Sequence, residues 1–588
     1  MTTRLNRRKF LGVAAATAGA GVLAACGTKA TEVPEEPVAP TAKPEVAEPE
    51  ATTAPETSTE CKMDWNPTWP DVPDKPDPPL EVTTTINPQT AAMPEGLTRD
   101  NNPMYAAAVE HTGLKVVMHW DETAGGDAYA VKISADLAAG TLPDYFRTGG
   151  IQLEQLIEAG AIEDILPLWE EHASPLVKEK KQYPDHTWWK QVYRDGKLWG
   201  IPFTYGPARN VDNIPFIRQD WLDQLGLEAP TTVEGWTETA RAFKDAGLCE
   251  FGISACRNFV TWYQSLDPIF GAYGVMPTCW VPDGAGGLKY DSISPEVKDA
   301  LAVIKGWYDE GLIDPDYYNL GEGDSAAHIP ANKVGIFTAP WWHGSGQVKL
   351  EGENPGMRIE PFAYPKGPAG KQGRKTSGLT GNVTVFRKGL SPEAIKACIG
   401  NGNWHMEWHV NWEKYQQYGA WRNDHAFLEG YDWVWDENCE LKDGPFPMPQ
   451  TYVWTAYTDF GFVWGIYPDY QIDVFRDMGK WLEKDPSELN KAQRFIISNP
   501  VPVREQKLYS VIYDTLDVEV ANGFWGNAGE KYQQYMPDLG TLENETFTSI
   551  VVGNVDLDAF DDFVQTWKET GGDEVAAEVS EWYKSVSG

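Results

Sequence analysis

The sequence predicts an α/β fold. Short apolar runs of the kind that form buried strands alternate along the chain with stretches of helical period. The chain has 588 residues, enough for two to four lobes at roughly 100–200 residues per domain. Apolar residues make up 42% of it and charged residues 23%, so the chain can bury a large core and is not disordered throughout.

The first elements of the globular part are a strand, a helix and a second strand. The run Leu80–Ile86 predicts the first strand, Pro103–Thr112 the helix, and residues 114–120 the second strand. Further on, Thr-Thr-Val-Glu at 231–234 predicts a capping box that starts another helix. The alternation of the two kinds of element is what indicates the α/β class.

Later elements carry equally local signals. Ser-Pro-Glu at 294–296 predicts a helix with Ser294 as N-cap, an apolar face from Val297 to Tyr308, and an end at Gly311. Residues 333–339 predict a short buried strand, and the C-terminal part predicts helices near 557–569 and 574–585.

The N-terminus has the pattern of an export signal. Arg7 and Arg8 precede a mild apolar run at 12–25, which is short for a bilayer span and ends in small residues before Cys26. This resembles a bacterial lipoprotein signal peptide at 1–25, with Cys26 as the lipidated first residue of the mature chain. The paired arginines resemble a twin-arginine signal. Sec export and an uncleaved anchor helix are the alternatives.

Residues 26–79 are rich in Pro, Glu, Thr and Ala, a composition that predicts an extended linker between a lipid anchor and the globular body. Six cysteines follow Cys26, an even number that permits disulfides in an oxidising compartment. No CxxC pair is present, which disfavours a cysteine-based zinc site.

The charge excludes some partners. Acidic residues outnumber basic ones by 86 to 49, so the net charge of −37 repels nucleic acids and anionic membrane surfaces. The chain also has 26 Trp, 25 Tyr and 21 Phe, so many aromatic rings that stacking surfaces are expected beside the core.

Several short phrases occur in a fixed order along the chain: AAGTLPD at 138–144, DGKLWGIP at 195–202, IRQDWLDQLGL at 217–227, DEGLID at 309–314 and GGDE at 571–574. Taken in this order, they resemble the extracellular solute-binding proteins of bacterial ABC importers, in the branch of large lipoproteins related to alginate- and maltose-binding proteins. The resemblance covers the chain from about residue 80 to its end.

The resemblance implies a two-lobe periplasmic-binding-protein fold of type II. The first lobe is expected over residues 80–208 and 376–500, and the second over 209–375 and 501–588. Hinge crossovers are expected near 205–210, 376–385 and 500–503.

The implied function is that of a monomeric, lipid-anchored binding protein on the extracytoplasmic face of the cell membrane. It would close on a carbohydrate in an aromatic-lined cleft and deliver it to the permease subunits. No catalytic residue, metal or cofactor is expected, since the sequence has no Ser-centred elbow, Walker loop or dinucleotide fingerprint.

A carbohydrate needs aromatic rings for its C–H faces and polar groups for its hydroxyls. In the sugar-binding relatives an aromatic residue follows a proline at the end of a strand, and here Trp341 and Trp342 follow Pro340. We expect Trp341 to stack on the ligand and Trp342 to pack on the lobe; that both are core residues is the alternative. The other candidate ligand-binding residues are Arg147, Tyr205, Arg209, Asn210, Trp262, Tyr263, Trp421, Arg422, Trp464 and Trp525.

No basic cluster accompanies these residues, so a neutral oligosaccharide is favoured over a uronate polymer. Relatives often have a calcium loop after the helix that contains Ala-Phe-Lys. Here residues 242–245 run directly into Ala246 and Gly247 without alternating oxygen ligands, which puts that site in doubt. Cys249 and Cys256 flank this region, either as a disulfide or as separate thiols. A secreted carbohydrate-active hydrolase or lyase, and a binder of another solute such as a peptide, are the alternative functions.

Overall fold

The computed structural model describes most of the chain beyond the N-terminal segment. The described residues are Cys61, Val72, 74–86, Thr98, Asn101, 103–121, 126–185, 187–203, 213–341, 343–376, 382–410, 433–443, 470–524 and 529–587. The predicted signal peptide, Cys26 and nearly all of the predicted linker lie outside them.

Sixteen strands occur among these residues. In chain order, β1 to β16 are Leu80–Ile86, Leu114–Asp121, Tyr145–Thr148, Tyr193–Arg194, Lys197–Leu198, Ile201–Pro202, Ile214–Arg218, Trp280–Pro282, Leu288–Tyr290, Ile336–Ala339, Ile359–Pro361, Arg374–Thr376, Val383–Phe386, Trp433–Trp435, Leu441–Asp443 and Glu519–Ala521.

Eighteen α-helices occur in the same part of the chain. In chain order, α1 to α18 are Pro103–Thr112, Gly126–Ala139, Gly150–Glu158, Leu166–His172, Pro175–Lys180, Gln219–Leu225, Val233–Asp245, Asp267–Ala272, Glu296–Asp309, Glu322–Ala326, His343–Glu353, Pro392–Val410, Tyr470–Leu482, Lys491–Ser498, Pro500–Tyr513, Glu530–Val551, Ala559–Trp567 and Asp573–Ser587. None of these helices has the length and apolar character needed to span a membrane.

The predicted α/β class is confirmed, and the strands form two main sheets. The first has the order β2-β1-β3-β13-β6, in which β1 is parallel to β2 and β3, and β13 is antiparallel to β3 and β6. The second is antiparallel, with the order β10-β7-β11. The chain therefore passes from the first sheet to the second between β6 and β7, and returns before β13.

Two hydrophobic cores surround these sheets. The first contains Val82, Phe146 and Trp169 around the five-stranded sheet, and it extends to α13 and α15. The second contains Trp236, Trp307 and other residues of 217–317 together with the C-terminal helices α16, α17 and α18. Strand β7 contributes to both cores, as Phe216 lies in the first and Ile217 in the second.

Most of the elements predicted from local patterns are present. The strand at Leu80–Ile86 and the helix at Pro103–Thr112 have the predicted bounds. On α9 the predicted apolar face is buried at Val297, Ala300, Leu301, Ile304 and Trp307. The expected strand at 333–339 begins only at Ile336, where pairing with β7 begins.

Two helix starts differ from the prediction. Helix α7 is capped by Thr232, whose side chain accepts a hydrogen bond from the Gly235 amide, so the capping box expected from Thr231 does not form. The Ser294 hydroxyl donates to Asp291 instead of capping α9. The first helix starts one residue later than predicted, and in the second Asp291 is the partner of the Ser294 hydroxyl.

The expected crossovers are only partly described. Residues 205–210 lie outside the described residues, while the second expected crossover is bounded by β12 and β13. Residues 500–503 form the first turn of α15, because Asn499 caps that helix and Pro500 takes its first position. Helix α15 then packs against α11, α13 and β7. The four lobe ranges stay a prediction.

One disulfide joins distant parts of the described chain. Cys61 pairs with Cys439, which lies 378 residues away in the turn between β14 and β15. The end of the predicted linker is therefore covalently attached to the body.

Glu543 on α16 is a carboxyl group in the second core. It is 3% exposed and accepts hydrogen bonds from the Tyr290 hydroxyl at 2.8 Å and the Ser292 hydroxyl at 2.9 Å. Burial raises the pKa of Glu543 to about 7, although the two hydrogen bonds act in the opposite direction. The folded protein therefore holds this proton at pH values where the unfolded chain has lost it.

We expect Glu543 to make the protein less stable as the pH rises from about 4.5 to about 7. In that window the unfolded carboxyl is ionised while the folded one is protonated, and above it the contribution is constant. The free energy of unfolding should fall by about 3 kcal/mol, because each unit of difference between the folded and unfolded pKa of Glu543 corresponds to about 1.4 kcal/mol. Urea unfolding of the wild type and Glu543→Gln at pH 5 and pH 8 measures it: the difference between the two proteins should change with pH. Glu545→Gln, an exposed neighbour on the same helix, should change nothing, and an equal effect in both variants would contradict the assignment.

Candidate functional site

The ends of several strands meet where the chain crosses between the sheets. In the second sheet Ala339, the last residue of β10, pairs with Ile214, the first residue of β7. In the first sheet Val383, the first residue of β13, pairs with both Thr148 and Pro202. We call these two places the crossover edges, and the segments that link them contain residues 204–212 and 377–381.

A loop with strained backbone, Trp262-Tyr263-Gln264, lies at the crossover edge of the second sheet. Trp262 has φ 69° and Gln264 has φ 59°, a left-handed conformation that is rare for large side chains. The Gln264 amide donates to the carbonyl of Thr338 in β10, which ties the loop to the sheet. Such strain persists only where surrounding contacts enforce it, and it is often found at functional sites.

Tyr263 in this loop stacks on His343, the first residue of α11. The ring centroids are 4.3 Å apart with an interplanar angle of 20°, and the hydroxyl lies 3.4 Å from His343 Nδ1. Burial raises the pKa of Tyr263 to about 12 and lowers the pKa of His343 to about 4. Both rings are therefore neutral near pH 7.

Buried polar residues form hydrogen bonds to the Trp262-Tyr263-Gln264 loop and to the residues that follow it. Asn213 Nδ2 donates to the Trp262 carbonyl at 2.5 Å, to Ser265 Oγ at 2.9 Å and to Asp267 Oδ1 at 3.0 Å. Ser265 also donates to Asp267, and Asn213, Ser265 and Asp267 are at most 1% exposed. Burial raises the pKa of Asp267, an effect that the charge of Lys375 partly offsets.

Lys375 completes this buried polar cluster, which we define as Asn213, Ser265, Asp267 and Lys375. Lys375 is 5% exposed. Its ammonium group donates hydrogen bonds to Thr261 Oγ1 at 2.9 Å and Thr278 Oγ1 at 2.6 Å. Asn213 is the first described residue after one crossover segment, and Lys375 lies just before the other. The cluster therefore fixes the loop to both crossovers.

The crossover edge of the first sheet presents Arg147. Its guanidinium group lies 4.1 Å from the ring centroid of Phe203, the last described residue before the crossover. The Tyr129 hydroxyl donates to the Arg147 carbonyl at 3.2 Å and to that of Thr85 at 3.3 Å. Arg147, Trp262 and Tyr263 are thus three predicted site residues that the structure places at the two crossover edges.

Trp341 is placed differently from the expectation. We expected its ring to face a ligand, but it is 5% exposed, belongs to the first core and packs on Tyr509 of α15 at 5.9 Å. The reason is that α15 covers the end of β10, which the local sequence does not indicate. Trp341 therefore has the packing role that we expected of Trp342.

The remaining candidates cannot be placed. Outside the described residues lie Tyr205, Arg209, Asn210, Trp342, Trp421, Arg422, Trp464 and Trp525. For them the ligand-binding role stays a prediction.

The disulfide considered between Cys249 and Cys256 is wrong. Both are free thiols, because the intervening chain is extended: Phe251 and Ser254 donate main-chain hydrogen bonds to Lys333 and Ile336. An extended chain advances about 3.3 Å per residue, whereas a disulfide needs Cα atoms within about 7 Å. Within the described residues no group of three or more His, Cys, Asp or Glu side chains is arranged to hold a metal ion.

Sequence reasoning missed His343 and the buried polar cluster. A weak signal for Asn213 and Asp267 was present, since each is a polar residue directly before a fully buried apolar segment. A polar side chain in such a place is costly unless it is hydrogen-bonded. The signal does not say which residues supply the partners.

Comparisons with known proteins agree with this architecture. A model of the bacterial extracellular solute-binding protein family matches residues 84–399. Lipoprotein LipO of Bacillus subtilis is 22% identical over 510 residues, which are 83% of this chain and 89% of LipO. The fructooligosaccharide ABC transporter substrate-binding protein FusA of Streptococcus pneumoniae is 24% identical over 321 residues, 51% of this chain and 57% of FusA.

A solved structure shows the same fold. The crystal structure of alginate-binding protein AlgQ2 without calcium ion is similar with a TM-score of 0.55 and 19% identity, covering 89% of this chain and 100% of that one. The fold is therefore that of the two-lobe periplasmic solute-binding proteins, as the resemblance in the sequence implied.

We expect Asn213→Leu to destabilise the protein, because Asp267 and the Trp262 carbonyl lose a buried donor. The cost should be about 2–4 kcal/mol in the free energy of unfolding, as for other buried hydrogen bonds to charged or unsatisfied groups. Urea denaturation of the wild type, Asn213→Leu and the exposed control Asn319→Leu measures it. The control should stay within about 0.5 kcal/mol of the wild type, and equal values for both variants would show that the cluster does not support the loop.

Proposed function

The chain belongs to the bacterial extracellular solute-binding protein family, and from this premise we propose that it captures a carbohydrate between its two lobes and delivers it to the permease of an ABC importer. The observation that carries the proposal is the pair of crossover edges, one with the Trp262-Tyr263 loop and the other with Arg147. Closure about the crossovers would bring the two edges onto one ligand.

The chemistry of the edges supports a sugar as the ligand. Trp262 and Tyr263 offer ring surfaces for C–H faces, and Arg147 offers donors for hydroxyl or ring oxygens. FusA is named for binding fructooligosaccharides and AlgQ2 for binding alginate. Both names support a saccharide over a peptide for this chain.

The charges favour a neutral oligosaccharide. The protein has a net charge of −37. The ammonium group of Lys375 is buried and donates hydrogen bonds to Thr261 and Thr278. Arg147 is the one positively charged residue among the candidates that the structure describes, whereas a uronate chain carries a carboxylate on every sugar. A neutral ligand has no carboxylates to compensate.

Binding without catalysis fits the same residues. Glycoside hydrolysis requires two carboxyl groups that flank the scissile bond, whereas Asp267 is buried beneath the loop and hydrogen-bonded to Asn213 and Ser265. We propose that the protein holds its ligand unchanged and passes it on.

We propose further that Cys26 carries a lipid, that residues 1–25 are removed as a signal peptide exported through the twin-arginine route, and that the monomeric protein stays on the extracytoplasmic face of the cell membrane. The Cys61–Cys439 disulfide supports an oxidising compartment. It also attaches the end of the proposed tether to the body.

We expect thermal-shift screening to find a stabilising oligosaccharide, because a ligand that binds only the folded state raises the melting temperature. Small-angle scattering at saturation should then show a smaller radius of gyration, since the ligand bridges both lobes. Chromatography of the recovered sugar should show no cleavage. Turnover would favour a hydrolase or lyase, and stabilisation by peptides alone would overturn the carbohydrate assignment.

We expect Cys26→Ser to abolish incorporation of labelled palmitate when the full chain is expressed in a bacterial host, because the thiol is the acceptor of the lipid. The matched control is Cys61→Ser, which removes a cysteine of the disulfide and should leave labelling unchanged. Labelling of the Cys26 variant at the wild-type level would disprove the anchor.

A further inference from the structure

Glu322 contacts the aromatic loop from outside the set of candidate residues. Its Oε2 accepts a hydrogen bond from Trp262 Nε1 at 3.1 Å, and both side chains are half-buried. Glu322 lies 60 residues after Trp262 in the chain, and helix α9 lies between them in the sequence. The contact is therefore made by the fold of the second lobe and not by local sequence.

Trp262 is held at two points. Its carbonyl accepts the hydrogen bond from Asn213, and its indole N–H donates to Glu322. The left-handed backbone at Trp262 is thus enforced at the main chain and at the tip of the ring. A ring fixed in this way loses little conformational entropy when a ligand packs on it.

We infer that Trp262 and Glu322 form one sugar-ring subsite, in which the indole packs on the C–H face of a neutral sugar and Glu322 accepts hydrogen bonds from its hydroxyl groups. This inference rests on the proposed carbohydrate function and adds to it Glu322 as the residue that selects against charged sugars. Glu322 has two oxygens with several acceptor positions, of which the indole N–H uses one.

The carboxylate sets the selectivity. A neutral sugar presents hydroxyl donors to it, and hydrogen bonds to a charged acceptor are about twice as strong as neutral ones. A uronate presents a second carboxylate at the same subsite, where like charges repel in a partly desolvated place. Glu322 therefore works against uronates while it contributes to the binding of neutral sugars.

A positively charged residue next to α10, Arg257, does not cancel this effect. Arg257 is exposed, and its amide donates to the Leu320 carbonyl just before α10. Water and salt screen an exposed charge more than a half-buried one. Arg257→Gln is therefore a useful comparison, because it removes a positive charge near the loop whereas Glu322→Gln removes a negative one.

The experiment uses the full folded protein and isothermal titration calorimetry at low salt. The probes are two matched pairs: galactotriose with trigalacturonate, and mannotriose with trimannuronate. The variants are Glu322→Gln, which keeps an acceptor for the indole N–H and removes the charge, Trp262→Ala, Arg257→Gln, and Glu228→Gln as an exposed control on the same lobe. Circular dichroism and melting temperatures verify that each variant is folded.

The wild type should bind the neutral member of a pair more tightly. Glu322→Gln should weaken binding of the neutral trisaccharide about threefold to tenfold and reduce the preference for it about fivefold. Trp262→Ala should weaken it more than about tenfold. Glu228→Gln should change nothing, and Arg257→Gln should leave the preference unchanged or larger.

Two failures are distinguishable. A preference that is the same in Glu322→Gln as in the wild type, or a wild type that prefers the uronates, overturns the subsite and leaves the carbohydrate function intact. If neither pair nor any sugar in the thermal-shift screen binds the wild type, the carbohydrate function itself fails, and the subsite fails with it.

Discussion

Strand β7 is buried on both of its faces, and both hydrophobic cores pack on it. Phe216 stacks on Phe337 of β10 at 5.3 Å in the first core, while Ile217 lies in the second with Trp236 and Trp307. A strand with no solvent-exposed face admits only one register, because a shift by one residue would exchange the two sets of side chains. The position of Asn213, directly before β7, is set by that register.

Strand β7 positions the crossover edge of the second sheet through Asn213, which lies directly before it. Asn213 reaches the Trp262 carbonyl, Ser265 and Asp267, and Lys375 reaches Thr261 and Thr278. Burying these polar and charged groups costs free energy that the hydrogen bonds offset only in part, since Asn213 Oδ1 and Asp267 Oδ2 have no hydrogen-bond partner among the described residues. Through these contacts one strained loop is held by Asn213, directly before β7, and by Lys375 in β12.

The properties of the edges follow from these constraints. Burial keeps Tyr263 and His343 neutral, the Asp267 carboxylate is enclosed, and the indole of Trp262 is tied to Glu322. Each of these groups is held by its neighbours. The disulfide between Cys61 and Cys439 makes a separate contribution, since it attaches a remote N-terminal segment to the first core's periphery.

The sequence by itself determined the features that depend on neighbouring residues. The strand at Leu80–Ile86, the helix at Pro103–Thr112 and the buried face of α9 follow from spacing, and the order of short phrases indicated the two-lobe fold. Tertiary structure alone decided which aromatic rings face outward. Trp341 is buried because α15, some 160 residues later, covers it. Trp262 meets Glu322 because α9 and α10 fold back toward its loop. Residue spacing reports contacts along one element, whereas these contacts depend on how distant elements pack, and no local pattern contains that information.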